Sequence, residues 1–107
     1  MGSKKDIPRH HHSPDLEAVF VEQILQACLS QASLSELRNI IRGMMPSLST
    51  HGLKKYLFYL TEYYLITYHG QNQVFVLTCE GLDLLYMIKK EKKTSNKSIK
   101  DIIITLE

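Results

Sequence analysis

Four cations lie close together in the middle of the chain, on two segments that also carry hydroxyl groups. Arg38 and Arg42 are one helical turn apart, and Lys54 and Lys55 follow the run Ser49-Thr-His51. Guanidinium and ammonium groups neutralise phosphates, whereas hydroxyl and imidazole groups hydrogen-bond phosphates or base edges. These residue types predict a surface for a polyanion. Its candidate residues are Arg38, Arg42, Ser49, Thr50, His51, Lys54 and Lys55.

The distribution of charge supports a functional interpretation of these cations. Residues 15–88 contain four basic and seven acidic residues, a net charge of −3, yet residues 37–61 hold all four cations and no acid. We expect an electrically lopsided domain with one positive face. A merely solvated helix face is the alternative explanation for four cations. Their position on two consecutive predicted helices favours a binding surface.

Length and composition restrict the class of protein. With 107 residues and 44% apolar content, the chain supports one modest core. The sequence has no run of eighteen apolar residues, so we expect no membrane partner. It also has no secretory signal, and its two cysteines fit a reducing compartment, so we expect a cytoplasmic protein. The three histidines at 10–12 lack a fixed geometry, so we expect neither a metal site nor a cofactor.

Hydrophobic periodicity predicts a mainly α protein with a small β-hairpin, of the α+β class. Helices are predicted at about 15–31, 34–43, 48–63 and 79–93, and a hairpin at about 65–77. Ser33 with Glu36 has the spacing of a capping box, and Thr78 can cap the fourth helix. Gly43, with Pro46 after it, fits the end of the second helix.

The two ends of the chain differ from this central region. Residues 1–14 are polar and punctuated by proline, which predicts a flexible leader before a domain at 15–93. Residues 94–107 form a basic, amphipathic extension. Within it Ile99, Ile102, Ile103 and Leu106 have the spacing of one helical face, so we favour a helix at about 98–106. The β-branched run 102–106 also suits a strand.

Helix, turn, helix and hairpin, in this order, predict a winged helix-turn-helix. Its third helix would enter the major groove of DNA by its N-terminal part, with the second helix across the backbone. The hairpin tip offers the further candidates His69, Gln71 and Asn72. These side chains have no permanent charge, so we expect a weak contribution from the wing.

Only a few phosphates would be neutralised by one copy, so we expect a homodimer on two half-sites. Apolar residues that one small domain does not need to bury are its candidate interface: Leu84, Met87, Ile99, Ile102, Ile103 and Leu106. The alternative is that these side chains cover one another within a single copy.

Three segments resemble the small, single-domain winged-helix regulators of archaea, which are similar to MarR-like and PadR-like transcription factors. They are Leu53-Lys-Lys-Tyr-Leu-x-x-Leu60, Tyr64-Leu-Ile66 and Leu77-Thr-x-x-Gly-x-x-Leu-Leu85. The resemblance implies a transcriptional regulator that binds double-stranded DNA with its third helix and pairs two subunits through terminal helices. In that family a glycine commonly ends the third helix, where this chain has Tyr64. A charged residue is usual at the position of Cys79, and the wing is normally more basic.

Two other classes of function were weighed against DNA binding. The chain has no catalytic triad order, paired-carboxylate constellation or phosphate-binding glycine loop, so we do not expect an enzyme. A redox role for Cys28 or Cys79 is less favoured than packing for the first and an incidental position for the second. The stronger rival is a winged helix that binds other proteins, because the wing is weak, the core is acidic and tyrosine is favoured at interfaces.

Overall fold

Helices and short antiparallel strands alternate along the part of the chain that the computed structural model describes, which is residues 15–44, 46–94, 99 and 102–106. The result is a small α+β fold with four helices among these residues. In chain order the elements are β1 (Asp15–Glu17), α1 (Ala18–Cys28), β2 (Ala32–Ser33), α2 (Leu34–Met44), α3 (Thr50–Glu62), β3 (Ile66–His69), β4 (Val74–Leu77), α4 (Cys79–Thr94) and β5 (Ile103–Thr105).

The predicted hairpin is confirmed. Strands β3 and β4 pair antiparallel, with Ile66 opposite Leu77 and His69 opposite Val74. The two-residue strand β2 joins the other edge of β4, which gives a three-stranded sheet in the order β2-β4-β3. The turn uses a positive φ at Gln73. No glycine has a positive φ within the described ranges, although Gly70 and Asn72 in this turn are the residue types that adopt it most readily.

The predicted C-terminal helix at 98–106 is wrong over residues 102–106. Strand β5 pairs antiparallel with β1, with Ile104 opposite Leu16, and Ala18 donates its backbone N–H to the carbonyl of Ile102 at 3.0 Å. The β-branched isoleucines favour this extended conformation. The same pairing places 15–17 in a strand, so the predicted start of the first helix at residue 15 is also wrong. The predicted leader at 1–14 lies outside the described residues.

Helix α1 is central to the core. Val21, Ile24, Leu25 and Cys28 are completely buried, and α1 packs against both α2 and α4. Leu16 from β1 and Leu106 after β5 are buried at one end of this core. The wide apolar arc that the sequence shows on the first helix is therefore covered by other elements of the same chain.

Local side-chain bonds fix the beginnings of three helices. Ser33 and Glu36 form the predicted capping box, because the N–H of Ser33 donates to Glu36 Oε1 at 2.8 Å and the N–H of Glu36 donates to Ser33 Oγ at 3.1 Å. Ser49 caps α3 and Thr78 caps α4, each through its hydroxyl oxygen. Gly43 does not end α2, which continues to Met44.

None of the helices within the described ranges has the length and apolar character needed to cross a membrane.

Candidate nucleic-acid interface

The N-terminus of α3 presents a short run of exposed polar side chains. Ser49 Oγ accepts a hydrogen bond from the N–H of Gly52 at 3.0 Å, which leaves the hydroxyl proton of Ser49 free to donate. Thr50 and His51 are exposed beside it. A helix N-terminus also carries a partial positive charge from its unpaired N–H groups. This end of α3 can therefore bind an anion by several donors at once.

A recess of about 180 Å³ separates α2 from this end of α3. Its wall includes both predicted arginines together with Ser49 and Thr50. Arg42 is exposed, as expected, but Arg38 is half-buried rather than fully outward. Its Nε atom is buried, with no hydrogen-bond partner among the described residues. A buried donor without an acceptor costs about 1–3 kcal/mol, and this Nε atom is itself shielded from an anion that enters the recess.

Lys54 and Lys55 are exposed on the outer face of α3. Within the described part of the chain, the ion pairs within 4.0 Å involve Lys89 and Lys92 with Glu22, and neither lysine of α3 takes part. Both ammonium groups are thus exposed, and none of the acids that the structure describes holds them. Lys54 and Lys55 follow His51 by three and four residues, so all three side chains lie on one side of the helix.

A second, larger groove of about 580 Å³ lies between α3, the hairpin and the start of α2. Lys54 stands in its wall beside Phe58 from α3, and Tyr68 and Phe75 come from the hairpin. Phe58 is 58% exposed and Tyr68 48% exposed, which is high for aromatic side chains. Neither is among the candidate DNA-binding residues, although the sequence places Phe58 on the same side of the third helix as His51, Lys54 and Lys55 and allows a contribution of the wing through Tyr68.

The hairpin tip adds polar groups without a fixed arrangement. His69, Gln71 and Asn72 are exposed, as their sequence suggested, but they line neither the recess nor the groove. The hairpin residues that line the groove are Tyr68, Gln73 and Phe75. The groove is therefore formed by residues that flank the turn rather than by the predicted tip residues.

The residues predicted for dimerisation divide into covered and exposed sets. Leu106 is buried in the core of its own chain, and Leu84, Ile99 and Ile102 are partly buried against that core. Met87 is 65% exposed and Ile103 is 54% exposed. Part of the predicted interface is thus already covered within one copy. Helix α4 exposes two further apolar side chains, Leu82 and Tyr86, although periodicity alone predicts both on its packing face.

Burial raises the pKa of two groups of the core, the Cys28 thiol and the Tyr56 hydroxyl. Desolvation raises the pKa of Cys28 to about 12, because the thiol is completely buried in the apolar core. Burial also raises the pKa of Tyr56, although a hydrogen bond from the N–H of Glu17 to Tyr56 Oη at 3.0 Å acts in the opposite direction. In the described ranges, no group of three or more His, Cys, Asp or Glu side chains could hold a metal ion.

No protein-family model matches this chain, and no curated protein matches it.

Proposed function

We propose that this protein is a sequence-specific regulator of transcription that binds double-stranded DNA as a winged helix-turn-helix. Helix α3 lies in the major groove and α2 crosses the phosphate backbone. The order of the elements supports this proposal, because a helix pair is followed directly by an antiparallel hairpin whose sheet includes a short strand before α2. Such an order is compatible with a winged helix.

One observation carries the proposal: Lys54 and Lys55 are exposed on the same face of α3 as His51, and no acid of the described residues neutralises them. A helix of this kind fits the major groove, where its N-terminal residues reach base edges. Arg38 and Arg42, around the recess next to Ser49, then bind phosphates of the adjacent backbone. The arginines of α2 and the lysines of α3 therefore contact one continuous stretch of the duplex rather than two separate ones.

The regulator binds as a homodimer in this proposal, since four to six neutralised phosphates give only modest affinity for one copy. The exposed Met87 and Tyr86 on α4 support such a pairing, because two adjacent large apolar side chains lose contact with water when a second copy covers them. Light scattering of the wild type and of Met87→Glu tests it. A monomeric wild type would contradict the dimer without affecting DNA binding by α3.

Binding to random duplex DNA, measured by fluorescence anisotropy at two salt concentrations, tests the function. Neutralising four to six phosphates predicts an affinity loss of about 10²–10³-fold between about 50 and 200 mM salt. Lys54→Glu with Lys55→Glu should abolish binding, because two attractive charges become repulsive inside the groove. Single replacements by Gln should each reduce the salt slope by about one.

The matched control makes the same change of charge on another helix. Lys90 and Lys93 are exposed on α4, so Lys90→Glu with Lys93→Glu alters the net charge equally but leaves α3 intact. We expect this control to lower affinity only slightly. An equal loss in the two double variants would indicate binding by net charge alone and would exclude α3 as the recognition helix. Circular dichroism of each variant verifies that it is folded.

A second candidate function is favoured by the aromatic groove. Exposed Phe58 and Tyr68 on facing walls are typical of a surface that binds another protein, because aromatic side chains supply much of the energy of such contacts. In this case the winged helix is an interaction module in a larger complex and does not bind DNA directly. Absence of duplex binding even at low salt would favour this alternative over the regulator.

A further inference from the structure

Phe58 is unusual because it is a large exposed apolar side chain next to the cations of α3, one turn after Lys54 and Lys55 and one turn before the exposed Glu62. It lies three residues after Lys55 and four after Lys54, and 58% of it is exposed. Single exposed apolar residues are common and need no explanation. Phe58, however, is part of a groove whose opposite wall carries Tyr68 and Phe75, with the ring centroids of these two residues 4.8 Å apart. Aromatic side chains therefore line both walls of the groove.

The charge around this groove identifies the chemistry of its occupant. Lys54 lines the groove itself, and Lys55 is on the same face of α3. Ser33, Ser35 and Thr61 also line it, although the hydroxyl of Thr61 already donates to the carbonyl of Leu57 at 2.7 Å. Donors and a cation at the rim of an apolar surface suit a polyanion that carries apolar groups. Duplex DNA fits, because its major groove has one large apolar feature, the C5 methyl group of thymine.

We infer that Phe58 selects thymine by contact with this methyl group; the inference rests on the proposed binding of duplex DNA by α3. Four residues along a helix correspond to a rise of about 6 Å, which spans about two base-pair steps. The selected thymine is therefore within about two base pairs of the position next to Lys54. Phe58 thus determines specificity, whereas Lys54 and Lys55 determine affinity.

The test uses deoxyuridine, which differs from thymidine only by the absence of the C5 methyl group. Binding sites are first selected from a random duplex pool by the wild-type protein, and each thymine of the selected site is then replaced singly. One methyl group buried against an apolar surface changes affinity by about fourfold. We expect one position, or its symmetric pair, at which deoxyuridine weakens wild-type binding by this amount.

Substitutions then assign this effect to a residue. Phe58→Ala should bind the thymine site more weakly and should bind the thymine and deoxyuridine sites with equal affinity. Phe58→Leu should keep part of the difference in affinity. The matched control is Tyr64→Ala, which removes an exposed aromatic side chain at the end of α3 and should leave the difference in affinity between the two bases unchanged. Anisotropy titrations of all four proteins on both duplexes provide the measurement.

The outcomes separate this inference from the proposed function. Failure of the wild type to bind any duplex would overturn the proposed function and the inference with it. Tight binding that no deoxyuridine substitution weakens would overturn the inference alone. The inference alone is also overturned if Phe58→Ala retains the wild-type difference in affinity between thymine and deoxyuridine. The groove would then be available to a protein segment, as the second candidate function requires.

Discussion

Gly81, in the first turn of α4, packs directly against the backbone of Leu65. A Cβ atom at Gly81 would overlap the carbonyl oxygen of Leu65 and come within 3.0 Å of its carbonyl carbon. Thr78 stabilises the same contact, because its hydroxyl accepts from the N–H of Gly81 at 3.0 Å and its backbone N–H donates to the carbonyl of Leu65 at 3.2 Å. The hydroxyl proton of Thr78 is shared between the carbonyl oxygens of Tyr64 at 2.6 Å and Leu65 at 2.9 Å. The spacing Thr78-x-x-Gly81 thus connects α4 to the segment that leads from α3 into the hairpin.

Gly81→Ala should therefore lower the free energy of unfolding by about 2–3 kcal/mol, because rigid backbone must move to admit the methyl group. The matched control is Gly43→Ala in α2, where a Cβ would meet nothing within 4 Å. That substitution should stabilise the protein by about 0.5–1 kcal/mol, because alanine is the better helix former. Urea unfolding of both variants measures these effects, and equal signs would contradict the packing described for Gly81.

Tyr64 is in a left-handed conformation, with φ of 62°, at the end of α3. The N–H of Leu65 donates to the carbonyl of Leu60 at 2.9 Å, and that of Tyr64 donates to Thr61 at 3.1 Å. This is the bonding of a Schellman motif, which favours glycine at the position of Tyr64. The resembling family commonly has glycine there. The chain keeps the turn although it lacks that residue.

Tyr64→Gly should raise the free energy of unfolding by about 0.5–1 kcal/mol, since glycine adopts positive φ without strain. The tyrosine side chain is 75% exposed, so little packing is lost. Tyr64→Ala removes the side chain but keeps the strain, and it should leave stability nearly unchanged. Thermal and urea unfolding compare the three proteins. A gain in the alanine variant equal to that in the glycine variant would assign the effect to the side chain instead.

Features that depend on neighbouring residues were predictable from the sequence, and features that depend on distant pairing were not. The capping box of Ser33 and Glu36 and the cap at Thr78 each bridge only three residues, so spacing alone specifies them. The pairing of Leu16 with Ile104 joins opposite ends of the chain. The residues around Ile104 suit a helical face or a strand equally, and only the presence of β1 decides between them.

The candidate site was predictable in its charges but not in its shape. Lys54, Lys55 and Arg42 are exposed as expected, because hydration of a charged group keeps it at the surface. The half-buried position of Arg38 depends on how closely α2 approaches α3. The groove at Phe58 depends on where the hairpin lies, and periodicity does not give the distance between elements. These two features therefore became visible only in the fold.

The two cysteines should differ strongly in reactivity. Cys28 is buried, with a pKa raised to about 12, whereas Cys79 is exposed at the start of α4. Since the thiolate is the reactive form, a disulfide reagent should modify one thiol rapidly in the folded protein and the second only after unfolding. The reagent releases a chromophore for each thiol that reacts, so the absorbance measures the number of modified thiols. The Cys79→Ser variant should show no rapid reaction, and a rapid one would contradict the burial of Cys28.

Burial of the Cys28 thiol also predicts loss of stability in alkali. The folded state retains the thiol proton up to about pH 12, whereas the unfolded chain loses it above its ordinary pKa of 9.0. Stability therefore falls as pH rises above 9.0, by about 1.4 kcal/mol per pH unit for this group. Tyr56, whose pKa is raised from 10.0, adds a further loss above that value. Urea unfolding at several pH values should show a shallower decline in Cys28→Ala than in the wild type.

Glu22 is an acid of the core, only 5% exposed on α1, and its charge is compensated by α4. Lys92 Nζ donates to both of its carboxylate oxygens, at 3.1 and 2.9 Å, and Lys89 Nζ lies 3.9 Å away. The lysine of the close pair is 39% exposed, so solvent screens part of the attraction. Removal of Lys92 is costly chiefly because it leaves a buried carboxylate with a weaker partner.

Lys92→Met should accordingly lower the free energy of unfolding by about 1–3 kcal/mol. Combining it with Glu22→Gln should cost less than the sum of the two single changes, because the charge that needed compensation is gone. Lys93→Met is the matched control, since Lys93 has no carboxylate partner within the described ranges, and it should change stability by less than about 0.5 kcal/mol. Strictly additive effects in a urea double-mutant cycle would show that the pair does not hold α4 on α1. DNA affinity should be unaffected in folded Lys93→Met, because this lysine is on α4 and the proposed DNA contacts are on α2 and α3.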